Sequence, residues 1–161
     1  MTSPDPDRKP LTQIISVLSV SPAAEDHFQL QEILSSPART LYPDVTFALT
    51  ARRTVSAAAA ALRRNRVSLV VCEYDLLPGS WTELLDVAGR LPAPLPVIVT
   101  SRTADERMWA EVLNMGGYDV LLKPFRSEEV IRTLNAAWSL WRHRFQCQAV
   151  ERSQTAGGNA A

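Results

Sequence analysis

The chain has 161 residues, 17 basic and 17 acidic side chains, 46% hydrophobic residues and two cysteines, the profile of one globular domain with short tails rather than two full domains. A formal charge of zero, with both signs interspersed, gives no broad basic surface for a phosphate backbone and argues against nucleic acid as a partner. The longest strongly apolar runs are about six residues, against the roughly 20 that a bilayer span needs, and residues 1–10 are polar and proline-rich rather than a signal peptide, so a cytoplasmic protein is expected.

Residues 1–11 mix three prolines with alternating charges, and residues 147–161 run out into Ser, Thr, Gly, Asn and Ala. Both read as disordered tails around a domain at residues 12–146. Within it, short apolar runs alternate with longer stretches of helical spacing. The first run, residues 14–19, ends at Ser21-Pro22, an N-cap and first-turn proline for a helix to about Leu34. Pro37 and Pro43 break the chain before a strand at residues 45–49, and an alanine-rich helix follows at residues 54–64. The nearly all-apolar run at residues 67–72 suits a central strand covered on both faces. Ser80-Trp81-Thr82-Glu83 has capping-box spacing for a helix to about Leu91, and Pro92, Pro94 and Pro96 forbid helix until the strand at residues 97–100. Thr103-Ala104-Asp105-Glu106 repeats that spacing for a helix through Met115, closed by Gly116-Gly117. A fifth strand at residues 119–122 leads through Lys123-Pro124-Phe125 into a last helix at residues 127–145.

Five strand–helix units with short connections imply a doubly wound α/β fold, a (βα)5 parallel sheet with flavodoxin-like strand order 2-1-3-4-5. Ligands of such sheets gather at the carboxyl ends of the strands. That singles out Ser19, Val20 and Ser21, then Glu73, Tyr74 and Asp75, then Thr100 and Ser101, and finally Lys123. No GxGxxG, GxxxxGK[ST] or Gly-x-Ser-x-Gly occurs, and the loop at Ser19 is too short to cradle a phosphate. His27 and His143 read as isolated surface or packing residues. Cys72 and Cys147 belong to no Cys-x-x-Cys pattern, so neither a metal site nor a disulfide is expected.

Glu73, Thr100 and Lys123, each ending a different strand, form a constellation that resembles the response-regulator receiver domain of two-component signalling. The likeness spans residues 13–141. It rests on Ser68-Leu69-Val70-Val71-Cys72-Glu73, on Pro96-Val97-Ile98-Val99-Thr100-Ser101, and most specifically on Gly116-Gly117-Tyr118-Asp119 leading to Lys123-Pro124-Phe125. The resemblance implies Glu73 at the phospho-accepting position, Thr100 and Lys123 as the groups that grip phosphate, a cis Lys-Pro bond, and Lys123 reaching Glu73. It implies an acid pair for Mg²⁺ at Ser19 and Val20, where no carboxylate stands, and an aromatic switch residue where Val120 stands.

With one acid, an amine and no metal cluster, the economical reading is a standing Glu73–Lys123 ion pair with Thr100 bonded to one of them. The alternative reading is a locked active-like state in which Glu73 imitates a phosphorylated Asp. Asp75 is a solvated loop acid, or a weak aid to metal binding. No enzymatic activity and no cofactor, Mg²⁺ included, are expected.

The last helix carries Ile131, Leu134, Trp138, Trp141 and Phe145 at alternating three and four spacing. Trp109 is expected to face partly outward while Ala110 and Leu113 fill inward positions. Trp109, Trp138, Trp141 and Phe145 are therefore candidates for an interface on the fourth helix, fifth strand and fifth helix, used by a kinase, regulator or scaffold or by a second copy of the chain. Arg142, His143 and Arg144 read as a solvated helix end. The expected function is that of a stand-alone, degenerate receiver acting through protein contacts in a phosphorelay. Its rivals are a working receiver phosphorylated at or near Glu73 and a flavodoxin-like ligand binder or enzyme.

Overall fold

The alternation of apolar runs and helical stretches becomes five strands and five helices among the described residues, 12–36 and 44–157 of a computed structural model. In chain order they are β1 Gln13–Val20, α1 Ala24–Ser35, β2 Val45–Arg52, α2 Val55–Arg64, β3 Leu69–Glu73, α3 Trp81–Gly89, β4 Val97–Ser101, α4 Glu106–Asn114, β5 Asp119–Leu122 and α5 Ser127–Gly157. The tail expected at residues 1–11, the breaks at Pro37 and Pro43, and residues 158–161 lie outside the described residues. No described helix is long and apolar enough to cross a membrane.

All strand pairings are parallel and the order is β2-β1-β3-β4-β5, the expected doubly wound arrangement. Every residue of β3 and β4 is buried, because helices cover both faces of these inner strands. Side-chain alternation divides the core in two. Leu18, Val70, Cys72 and Val99 meet Ala58, Leu62, Leu84 and Val112 from α2, α3 and α4. Ile15, Val17, Val71 and Ile98 meet Leu30, Val130, Ile131 and Leu134 from α1 and α5. The register sets Glu73 beside Thr100 and Val20 beside Cys72, so the candidate residues share one end of the sheet.

Local details depart from the sequence reading where two caps compete. Thr54 and Ser80 cap α2 and α3, each accepting a backbone N–H of the first turn. Ser21 does not cap α1: the N-cap position is Ala23, and the Ser21 hydroxyl is drawn to Asp26 instead. Asp105, not Thr103, caps α4, its Oδ1 accepting from Met108 N at 2.8 Å. Thr103 is held in the preceding turn by its N–H bond to Ser101 Oγ.

Two expectations about helices are corrected. Ala110 and Leu113, expected inward, are exposed, and Val112 is the buried residue of α4; Trp109 is half-buried, packing with Met108 against the core. The stop after α4 sets this rotation: Gly116 takes φ +102°, and Gly117 N donates to Val112 O at 2.8 Å, pulling Val112 onto the sheet. The last helix does not end at Phe145 but runs to Gly157, because no Pro or Gly interrupts it before that residue and Ala, Gln, Glu and Arg favour helix. Residues 147–157, expected in a tail, are therefore helical.

A Cβ on Gly117 would lie 2.5 Å from Val112 Cγ1 and 2.9 Å from Val112 O. Gly117→Ala should destabilise the fold by about 1–3 kcal/mol in urea unfolding. Gly89→Ala, with nothing within 4 Å of the added carbon, should be neutral or slightly stabilising.

Candidate functional site

Lys123 leaves the end of β5 through a cis bond to Pro124, and its ammonium reaches back across the carboxyl ends of the strands. Nζ pairs with Glu73 Oε2 at the end of β3, and with Asp26 Oδ2 in the first turn of α1 at 2.6 Å. The three side chains are only 6%, 10% and 4% exposed. Thr100 Oγ1 donates to Glu73 Oε2 at 3.3 Å, and the Asp75 amide approaches Oε1 at 3.4 Å. The Ser21 hydroxyl donates to Asp26 Oδ2 at 2.6 Å and accepts from Ala23 N at 3.2 Å. Residues from four segments far apart in sequence thus close one buried network. Its formal charge is −1, from two carboxylates and one ammonium.

The structure brings Glu73, Thr100 and Lys123 together as the resemblance implies, and adds Asp26, which sequence reasoning missed. Acids in the first turn of a helix are common because they favour the N-terminal end of the dipole, so Asp26 carried no distinctive signal. Its position five residues after Ser21, in the helical turn that follows the switch-point loop, was the available clue. Asp75 stays exposed, with only its backbone facing Glu73.

Ser19 and Val20 supply no carboxylate. Val20 is buried in the core, and the Ser19 hydroxyl lies 2.8 Å from His27 Nδ1. His27 Nε2 approaches the Ser21 carbonyl at 3.0 Å, which can only accept, so in the neutral ring Nε2 carries the proton and Nδ1 accepts from Ser19. His27 is therefore a tie between the β1–α1 loop and its helix rather than an isolated residue.

Mg²⁺ takes oxygen ligands in near-octahedral order. The two buried carboxylates here are already spanned by an ammonium, the positions implied for the acid pair hold a hydroxyl and an isopropyl group, and no three His, Cys, Asp or Glu side chains gather among the described residues. This donor set does not fit that ion. Cys72 is fully buried, and burial first, the charge of Glu73 second, push its thiol far above the usual range.

Around the site, Val120 is a core residue, and the nearby ring comes from Tyr74, which follows Glu73. Tyr74 stacks on Trp81 with centroids 6.1 Å apart, and its hydroxyl donates to Glu111 Oε2 on α4 at 3.1 Å. Desolvation and then the bond to Glu111 raise the phenol pKa.

Of the candidate interface residues, Trp109 and Trp138 pack on the two cores, and the Arg142 guanidinium lies 4.8 Å from the Trp138 ring centroid. Trp141 stacks on Phe145 at 5.6 Å and 8°, leaving Phe145 51% exposed. The Trp141 Nε1–H is buried and has no acceptor.

No protein-family model matches the sequence, and no curated protein matches it. Solved structures do. The signal receiver domain of an HD domain-containing protein from Pseudomonas fluorescens superposes with a TM-score of 0.66 at 23% identity, covering 81% of this chain and 99% of that one. The chemotaxis response regulator CheY4 of Vibrio cholerae gives 0.65 at 15%, covering 78% and 99%. A response regulator receiver domain protein from Clostridium thermocellum gives 0.66 at 12%, covering 82% and 98%. At these identities the likeness establishes a receiver fold.

Removing the ammonium leaves two carboxylates buried together. Lys123→Met should cost about 3–5 kcal/mol in urea unfolding at neutral pH, and adding Glu73→Gln should recover part of it by removing one stranded charge. A loss below about 1 kcal/mol would mean that the pair behaves as an exposed one.

Proposed function

We propose that the chain is a signalling module of the response-regulator receiver type that acts by protein–protein contact in the cytoplasm, with no catalytic activity and no Mg²⁺-dependent phosphorylation. One observation carries this reading: Lys123 Nζ is clamped between the buried carboxylates of Glu73 and Asp26. By the resemblance, a phosphoryl group would arrive at that place. An acceptor carboxylate must present a free oxygen in line with the phosphorus and have its developing charge offset by a cation. Here Glu73 Oε2 is held by Lys123 and Thr100, Oε1 faces the Asp75 amide, and the acids for a metal are missing. The network supports a module kept in one state by its own side chains. The Thr100 bond to Glu73 supports reading that state as active-like, with a carboxylate in the place of the phosphate.

The output of such a module is a surface. The α4–β5–α5 side bears Leu113, Met115, Leu122 and Phe145, all exposed. Exposed apolar groups on one side suit a kinase, regulator or scaffold that reads a fixed face. A second copy of the chain is the simplest partner for it.

Incubation with Mg²⁺ and a small phosphodonor, followed by intact-mass measurement, should show no phosphoryl adduct, and beryllofluoride should leave the amide spectrum unchanged. An adduct on Glu73, or shifts centred on Glu73, Thr100 and Lys123, would establish a working receiver instead. In the presence of a chelator, Leu113→Glu should weaken any self-association seen by sedimentation. A wild type that stays monomeric at high concentration would restrict the face to other proteins.

A further inference from the structure

A last helix ending at Phe145, as the residue spacing predicts, would leave Cys147 outside it. Because α5 continues, His143 and Cys147 stand one helical turn apart on the same side, both exposed, with Nε2 3.9 Å from Sγ. At about 100° per residue this side is roughly opposite to Trp141 and Phe145. Ala136 and Leu140, also exposed, continue it toward the domain. Ala136, Leu140 and His143 form the helix wall of an open groove of about 710 Å³ whose other wall is Gln13, Asp44 and Val45, and Cys147 lies exposed beyond it.

We propose that His143 and Cys147 are one half of a tetrahedral zinc site that a second copy of the chain completes, joining two α5 helices through the metal. An imidazole nitrogen and a thiolate are the donors that Zn²⁺ prefers. With Zn–S near 2.3 Å and Zn–N near 2.0 Å, tetrahedral ligands lie about 3.5 Å apart, close to the observed 3.9 Å and reachable by small side-chain rotations. One chain cannot fill the site: no group of three His, Cys, Asp or Glu side chains exists among the described residues. A two-fold axis supplies the same pair again, giving two sulfur and two nitrogen ligands, and an isologous contact of this kind closes without forming filaments. Binding balances simply. Each Cys147 thiol releases its proton to solvent as the Zn–S bond forms, each His143 binds as neutral imidazole, and two thiolates neutralise the ion. Leu140 and Ala136 beside the ligands give the second helix apolar groups to meet. The inference stands apart from the function proposed above, since it uses neither Glu73 nor Lys123.

The test uses the full chain, stripped with chelator and kept under a non-thiol reductant, titrated with Zn²⁺ and then Co²⁺. The expected result is one metal per two chains, a monomer-to-dimer shift in sedimentation, and visible Co²⁺ bands of tetrahedral geometry with a sulfur charge-transfer feature. His143→Ala and Cys147→Ser, both exposed and checked for unchanged circular dichroism, should each weaken metal affinity by at least about tenfold. Zinc should also protect Cys147 from alkylation. One zinc per chain without association, a dimer that survives chelator and disappears only with reductant, or undiminished binding by Cys147→Ser would each overturn the proposal.

Discussion

A buried ammonium held by two buried carboxylates is the constraint on which this site depends. Each of the three charges is nearly excluded from water, a position tolerable only while the others remain in place. Lys123 brings the end of β5, Glu73 the end of β3 and Asp26 the start of α1, so the pairing ties both sides of the topological switch point together. Ser21 and Thr100 occupy further acceptor capacity on the carboxylates, which makes the network a specified arrangement rather than a loose ion cluster.

The consequence is a module whose functional end is internally satisfied and whose surface carries the remaining chemistry. Tyr74 connects the loop after Glu73 to α4 through Glu111 and stacks on Trp81, giving the site a physical link to the helix that bears Leu113. Gly116 and Gly117 fix the end of that helix and with it the rotation that exposes Leu113 and buries Val112. α5 contributes twice: its first half seals one core with Val130, Ile131 and Leu134, and its continuation lifts His143 and Cys147 onto an uncovered side.

Much of this was legible in the residues. Apolar runs of strand length, proline and glycine punctuation, and the Ser80 cap are local signals, and they located every element and the strand order. Sheet topology placed Glu73 and Lys123 at the same end of the sheet, and the resemblance to receiver domains implied that they pair, as they do. What failed were competitions between neighbours. Ser21 could cap a helix or bind a side chain, and Asp26 won it; Thr103 and Asp105 both had capping chemistry, and the carboxylate prevailed. The polar composition after Phe145 predicts a tail, yet no residue there breaks a helix and α5 continues to Gly157.

The sequence by itself determined the alternating elements, their order in the sheet and the acid, hydroxyl and amine at the strand ends, since periodicity and turn chemistry act over a few residues. Only the tertiary structure decided that Asp26 joins Lys123 across 97 positions of chain, that Val112 rather than Leu113 turns inward, and that Ser19 is taken by His27. Those outcomes depend on which groups meet after the helices dock, and on which of several possible partners best satisfies a charge or a hydroxyl once water is excluded.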